Sequence, residues 1–254
     1  MNEFVRTDQA AGIATITLDS PANRNALSSG LLTELQAALA GALSDPGVRV
    51  IVLTGAGPAF CSGADLKESR TSPSAAPELF PEILQLIWDG PKPVVCRVNG
   101  SARAGGIGLI AACDIAIAAE SATFAFSEVR IGVTPAIIAV TCLRRMEPRA
   151  AAEYFLTGEA FGAPRAAEIG LLTRAVPETE LDEQADRYAG LLLRGAPGAL
   201  AATKTVLREA GTLPVAEGLA RMAGLSADRF ASAEGQEGMA AFAERRDPSW
   251  AVRS

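Results

Sequence analysis

The chain of 254 residues has no histidine. That absence removes Ser-His-Asp and Cys-His catalysis and any histidine-ligated metal site, leaving carboxylates, lysine, tyrosine and backbone amides to carry chemistry. Cysteine is sparse: Cys61, Cys96, Cys113 and Cys142 stand far apart with no CxxC pair, so neither a zinc site nor a disulfide framework is expected. All four read as small buried hydrophobes. Positive charge is outweighed, with 23 Lys and Arg against 29 Asp and Glu and a net charge of −6, which speaks against a nucleic-acid or anionic-membrane surface. No uninterrupted apolar run reaches membrane-spanning length, and the opening MNEFVRTDQAAG lacks the basic, apolar, small-residue order of a secretory leader. A soluble cytoplasmic protein without a metal is the expectation.

What is present is apolar and strongly patterned. About half of the residues are hydrophobic (49%), enough for a large core. GIATITLD alternates apolar and polar residues at period two and reads as a strand that ends at the turn-rich SPANRN. SGLLTELQAALAGAL carries leucines at helical spacing, with Ser28 or Ser29 as N-cap and DPG as its stop. VRVIVLTG is a second strand, PELFPEILQLIWDG a helix, PKPVVCRVNG a buried strand, and CDIAIAAE and ATFAFSEV two more short strands. TSPSAAP, residues 71 to 77, reads as a mobile connector. From about residue 148 helical periodicity dominates, with GLLTRAV the one remaining strand signal.

Two small-residue loops follow buried strands: GPAFCSGADL and NGSARAGGIGL. Each leads into a helix start, where backbone N–H groups lack intrahelical partners and the dipole favours negative charge. Two such amides from different loops can converge on one carbonyl oxygen and stabilise an enolate, a task worth roughly 10²- to 10³-fold in rate per donor. Taken alone, the glycines of either loop read more readily as allowing tight helix-to-sheet packing. GIGLIA also fits the form GxGxxG/A, with Glu128 about twenty residues on, but NGSARAG intervenes between strand and motif, unlike a dinucleotide-binding turn. No GK[ST] follows either loop, so neither is a phosphate-gripping P-loop. Glu128 lies in a mostly apolar stretch where burial would raise its pKa into a useful range for proton transfer. Its other reading is a solvated acid, or one paired with Arg130, at a helix start.

Taken in order, SPANRNALS, AFCSGADLKE, KPVVCRVNGSARAGGIGLIAACDIAIAAESATFAFSEVRIGVTPA and YFLTGEAFGAPRAAEIGLLTRAV resemble the crotonase, or enoyl-CoA hydratase/isomerase, superfamily over nearly the whole chain. The resemblance implies an α/β fold: a crotonase-like spiral of ββα units over residues 1–195 for acyl-CoA binding and catalysis, and a C-terminal helical region, 196–254, for oligomerisation. A homotrimer or a dimer of trimers would follow. It also implies an acyl-CoA thioester substrate, with coenzyme A as part of the substrate and no separate cofactor, and an oxyanion hole made by the amides of Ala64 and Gly105.

Hydratases of this family typically use two glutamates. The second aligns with Glu128; the first falls where family members read GGGCEL and this chain reads GGIGL, so Gly108 stands in its place. A glycine has no side chain to hold a proton, and one carboxylate with an oxyanion hole suffices in principle to shift a double bond. GVTPAIIAVTCLRR, in place of a glycine-rich PGAGGTQRL, together with GGIGL resembles bacterial methylglutaconyl-CoA hydratase-like members, implying a short or branched acyl group. By the same alignment Arg24 and Lys67 would meet the CoA phosphates, backbone groups from Ala64 through Asp65 to Leu66 would hold the adenine side, and Gly106 and Gly108 would line the substrate site. Arg103 would meet an acyl carboxylate or face solvent. Asp114 reads as structural. The implied reaction is hydration of an enoyl-CoA, with double-bond isomerisation or silent acyl-CoA binding as the alternatives.

Overall fold

A computed structural model describes residues 3–71 and 79–251; apart from Thr71, the connector expected at 71–77 lies outside them. The first strands are β1 (Val5–Ala10) and β2 (Ile13–Leu18), an antiparallel pair. Five of the six β1 residues are exposed, which suits an edge strand, whereas β2 buries the apolar half of its alternation. Helix α1 (Ser29–Ser44) starts at Ser28, whose side chain accepts from the Leu31 N–H, and buries Leu31, Leu32, Leu35 and Leu39.

Three strand pairs then repeat: β3 (Val50–Gly55) with β4 (Ala59–Cys61), β5 (Val94–Val98) with β6 (Ser101–Arg103), and β7 (Ile115–Ala119) with β8 (Thr123–Ala125). Between them run α2 (Leu66–Thr71), α3 (Leu79–Asp89) and α4 (Gly105–Ala112); α5 (Ala136–Cys142) follows the third pair after a 3-10 turn over Ser127–Ile131. The first members, β3, β5 and β7, are parallel neighbours in one sheet, and the second members, β4, β6 and β8, are parallel neighbours in another. Each repeat therefore steps one strand along both sheets, which is the spiral of ββα units expected from the sequence. β3 is buried at every residue, as befits a central parallel strand.

The chain continues through α6 (Pro148–Thr157), β9 (Phe161–Gly162), α7 (Ala163–Glu168), β10 (Arg174–Val176) and α8 (Leu181–Leu193). β9 closes the small sheet against β8 and β10 closes the large sheet against β7. The last helices are α9 (Pro197–Glu209), α10 (Val215–Ala231) and α11 (Ala233–Glu244). α9 is fixed by Lys204, whose buried ammonium donates to the carbonyls of Ile87 (3.2 Å) and Lys92 (3.2 Å) and to the Asp114 carboxylate (2.6 Å). Asp114 also accepts the Val94 N–H, so the structural role read for it holds. The four cysteines are free and buried. Among the described residues no helix is long and apolar enough to cross a membrane.

Candidate functional site

The small sheet positions the site. Its parallel strands β4, β6 and β8 end side by side, and their carboxyl ends deliver Gly63–Ala64, Ala104–Gly105 and Phe126–Glu128 to one edge. Direct contacts join these segments. The Ala104 N–H donates to the Ala125 carbonyl (3.2 Å), and a Cβ placed on Gly63 would stand 2.8 Å from Ala104 Cβ and 3.0 Å from the Arg103 carbonyl oxygen. Gly63 has φ +86°, a conformation that favours glycine on its own account. Leu27 ties the first loop down: its N–H donates to the Gly63 carbonyl (2.8 Å) and it forms a parallel bridge with Ala64.

The two amides expected as an oxyanion hole thus come from abutting loops. Gly105 opens α4, so its N–H has no intrahelical acceptor, and the cap residue Ala104 has no side-chain oxygen to serve it. Among the described residues, neither the Ala64 nor the Gly105 N–H makes a hydrogen bond. Ala104 itself has φ 48° and ψ −120°, rare for a residue with a Cβ. Such strain costs on the order of 1–3 kcal/mol; here it turns the chain sharply enough for α4 to start at the very end of β6.

Glu128 sits on the 3-10 turn after β8, half-buried, and its Oε2 is buried with no hydrogen-bond partner among the described residues. Desolvation holds its pKa above the ordinary glutamate range, with a backbone hydrogen bond opposing in part. Pairing with Arg130 is not what the structure has: Arg130 donates instead to the Thr157 carbonyl (3.2 Å). Burial also pushes up the Cys142 thiol at the end of α5, a hydrogen bond with Thr141 opposing in part and the charge of Glu128 adding to the rise.

The glycines of α4 do separate work. A Cβ on Gly105 would press on Leu27 Cδ1 (2.7 Å) and stand 3.3 Å from Phe80 Cζ; on Gly106 it would meet the Cys61 backbone oxygen at 2.7 Å. On Gly108 it would overlap Ile138 Cγ2, 3.0 Å from Ile138 Cβ and 3.5 Å from Phe80 Cζ. Gly106 and Gly108, expected to line the substrate site, are buried and serve packing: of α4 on β4 and of α5 on α4. The formal dinucleotide pattern fails for the related reason that GIGLIA lies inside α4, beyond the strand-to-helix turn.

Arg103 also departs from expectation. Its guanidinium donates to the carbonyls of Ala102 (2.9 Å) and Thr123 and to Thr123 Oγ1 (2.9 Å), clasping β6 to β8. Desolvation, then the nearby Arg24 charge, lowers its pKa. With its two terminal nitrogens so engaged, it is placed as a strand clasp and not as a receptor for an acyl carboxylate. Asp65 Oδ1 accepts the N–H groups of Lys67 (3.0 Å) and Glu68 (3.2 Å), so its side chain caps α2. Arg24 and Lys67 are exposed, as is Leu66.

Sequence reading missed Asn25. Fully buried with φ 55°, it donates from Nδ2 to the carbonyls of Ala56 (3.0 Å), Ala59 (2.9 Å) and Phe60 (3.1 Å) and accepts the Ser20 N–H (2.8 Å), so it holds the segment leading to Ala64. The signal was an asparagine in a turn-rich stretch, where its side chain can substitute for backbone partners.

Comparison with known proteins completes the picture. The family model described as enoyl-CoA hydratase/isomerase matches residues 8–253. The chain belongs to the enoyl-CoA hydratase/isomerase family. Among its relatives is a probable enoyl-CoA hydratase of Rhodobacter capsulatus, 37% identical with 98% of each chain covered. Another is the carnitinyl-CoA dehydratase of Salmonella heidelberg, 34% identical over the full length of both chains. The crystal structure of human enoyl coenzyme A hydratase domain-containing protein 3 superposes with a TM-score of 0.92 at 31% identity, covering 98% of this chain and 100% of that one. The crotonase-like spiral is therefore established, and with it a hydratase-like enzyme of this family; the relatives' differing names leave the reaction to the site.

Proposed function

We propose that the chain is a hydratase-like enzyme acting on a short or branched 2-enoyl-CoA through one carboxylate. The observation that carries this is the half-buried Glu128, its Oε2 without a hydrogen-bond partner among the described residues, at the same sheet edge as two uncommitted amides. The amides of Ala64 and Gly105 hold the thioester oxygen and favour the enolate over the ground state. Glu128 as carboxylate takes a proton from water while the water oxygen bonds to C3; the resulting carboxyl returns that proton to C2. Water is thereby added across the double bond with no other proton carrier. Coenzyme A enters as part of the substrate. Arg24 and Lys67 face its phosphates, and backbone groups from Ala64 to Leu66 its adenine side, in a cytoplasmic setting.

A second reading is favoured by one observation: Ile138 fills the space over Gly108. Isomerisation needs no water, because Glu128 can remove a proton from C2 of a 3-enoyl-CoA and return it at C4, bringing the double bond into conjugation. Residues 196–254 are read as the assembly region of a homotrimer or dimer of trimers. Support comes from the exposed Leu207, Leu219, Phe230 and Phe242 and a hollow of about 460 Å³ lined by Phe230, Met239, Phe242 and Trp250.

The test is the fate of a short 2-enoyl-CoA, followed by loss of conjugated absorbance and product mass, beside a 3-enoyl-CoA. Hydration expects the gain of one water, abolished in Glu128→Gln. Conjugation of the 3-enoyl-CoA without water gain selects the isomerase. Binding with no proton exchange at C2 in deuterated water makes the chain a silent acyl-CoA binder and refutes both.

A further inference from the structure

Ile138 has no assigned role, yet its position is decisive. Gly105 and Gly108 are one turn apart on α4, and Phe80 Cζ lies 3.3 Å from a Cβ at the first and 3.5 Å from a Cβ at the second, so both positions open toward the same side. Any side chain at 108 would project beside the candidate oxyanion amide. Ile138 occupies that volume, only 3% exposed. One turn further along α5, Cys142 lies near the Glu128 carboxylate. Phe80 from α3 and Ile138 from α5 thus cover the Gly108 position, one turn from the Gly105 amide. Thr141, on the same helix, offers its hydroxyl to the Ile138 carbonyl (3.2 Å) and to the Gly108 carbonyl (3.3 Å).

We propose that Ile138 is the specificity-determining residue of this site: by filling the space over Gly108, one turn from Gly105, it denies water a second berth and sets the balance between adding water and moving a double bond. This rests on the reading of Glu128 as acid and base. Shortening Ile138 would open a void bordered by the Thr141 hydroxyl and the Gly108 carbonyl, the kind of polar partners a trapped water needs. A Cβ restored at 108 would refill that void.

The experiment measures two rates on one enoyl-CoA in deuterated water, proton exchange at C2 and water addition, in wild type, Ile138→Ala, and Ile138→Ala/Gly108→Ala. The ratio of addition to exchange is expected to rise about tenfold in Ile138→Ala, the equivalent of about 1.4 kcal/mol, and to fall back toward wild type in the double variant. Thermal unfolding provides the second readout. Gly108→Ala alone is expected to lower Tm by on the order of 5 °C, because overpacking forces α4 and α5 apart, and to cost far less in the Ile138→Ala background. An unchanged ratio with exchange still present overturns the inference alone, as does equal tolerance of Gly108→Ala in both backgrounds. Absence of both exchange and addition in wild type overturns the reading of Glu128 and this inference with it.

Discussion

Lys204 offers the sharpest test of how the C-terminal helices are held. Its ammonium is 5% exposed and reaches three oxygens, of which Asp114 at 2.6 Å is charged and 22% exposed. Replacing it with alanine removes three charge-assisted hydrogen bonds and leaves the Asp114 carboxylate, among the described residues, with the Val94 N–H alone. Removing one partner of a buried pair costs about 3–5 kcal/mol; partial solvent access at Asp114 and the surviving Arg208 bond to the Trp88 carbonyl place this case at the low end, about 3 kcal/mol. For a chain of this length that is a fall in Tm of roughly 6–12 °C. Thermal melts by circular dichroism, with urea titrations as a cross-check, read it directly. The double variant Lys204→Met/Asp114→Asn should recover much of the loss, because an apolar side chain no longer faces an unpaired carboxylate and the asparagine oxygen still accepts from Val94. A Lys204→Ala drop of less than about 2 °C, or a double variant worse than the single, would refute the reasoning.

Glu128→Gln should lower turnover roughly 10²- to 10⁴-fold, and in wild type the acid limb of kcat/KM should have its midpoint above the usual glutamate range, measured from a pH–rate profile. The native state holds the Glu128 proton more tightly than the unfolded chain, so its stability contribution is complete below the unfolded pKa and is lost as pH rises through the folded one. Glu128→Gln should therefore unfold at higher urea than wild type at neutral pH and at the same urea in acid. Asn25→Ala should cost about 2–4 kcal/mol, since the buried carbonyls of Ala59 and Phe60 and the part-buried one of Ala56 lose the Asn25 donor, and should raise KM by loosening the approach to Ala64; denaturant titration and steady-state kinetics check the two effects. Arg103→Ala should lower Tm by unclasping β6 from β8 while leaving the preference between carboxylated and plain enoyl-CoA unchanged, which competition kinetics would reveal.

The large sheet was legible because β2, β3, β5 and β7 are long enough to display alternation or a continuous apolar run. Of the small sheet only β8, within ATFAFSEV, was legible. β4, β6 and β9 have three, three and two residues, too few for any period, and their sequences AFC, SAR and FG sit inside glycine-rich loops. Both loops do run into helices, with Gly105 opening α4 and Ala64 two residues ahead of α2. The packing partners of the glycines were invisible: nothing in IGVTPAIIAV singles out Ile138 from Ile137, and only the docking of α5 on α4 decides which of the two covers Gly108. Arg103 misled for a similar reason. Its charge invited a ligand, but a parallel neighbour, β8, supplies the acceptors.

The four thiols have a use beyond filling space. Burial pushes Cys61 up to about 12 and raises Cys96 and Cys142 as well, so the nucleophilic thiolate is scarce at neutral pH and shielded from reagents. Each also lies on a different part of the spiral: β4, β5, the end of α4, and α5. An alkylating agent would therefore count openings of the fold without any introduced label. The order in which the four positions became modified would give a time-resolved record of which turn of the spiral loosens first.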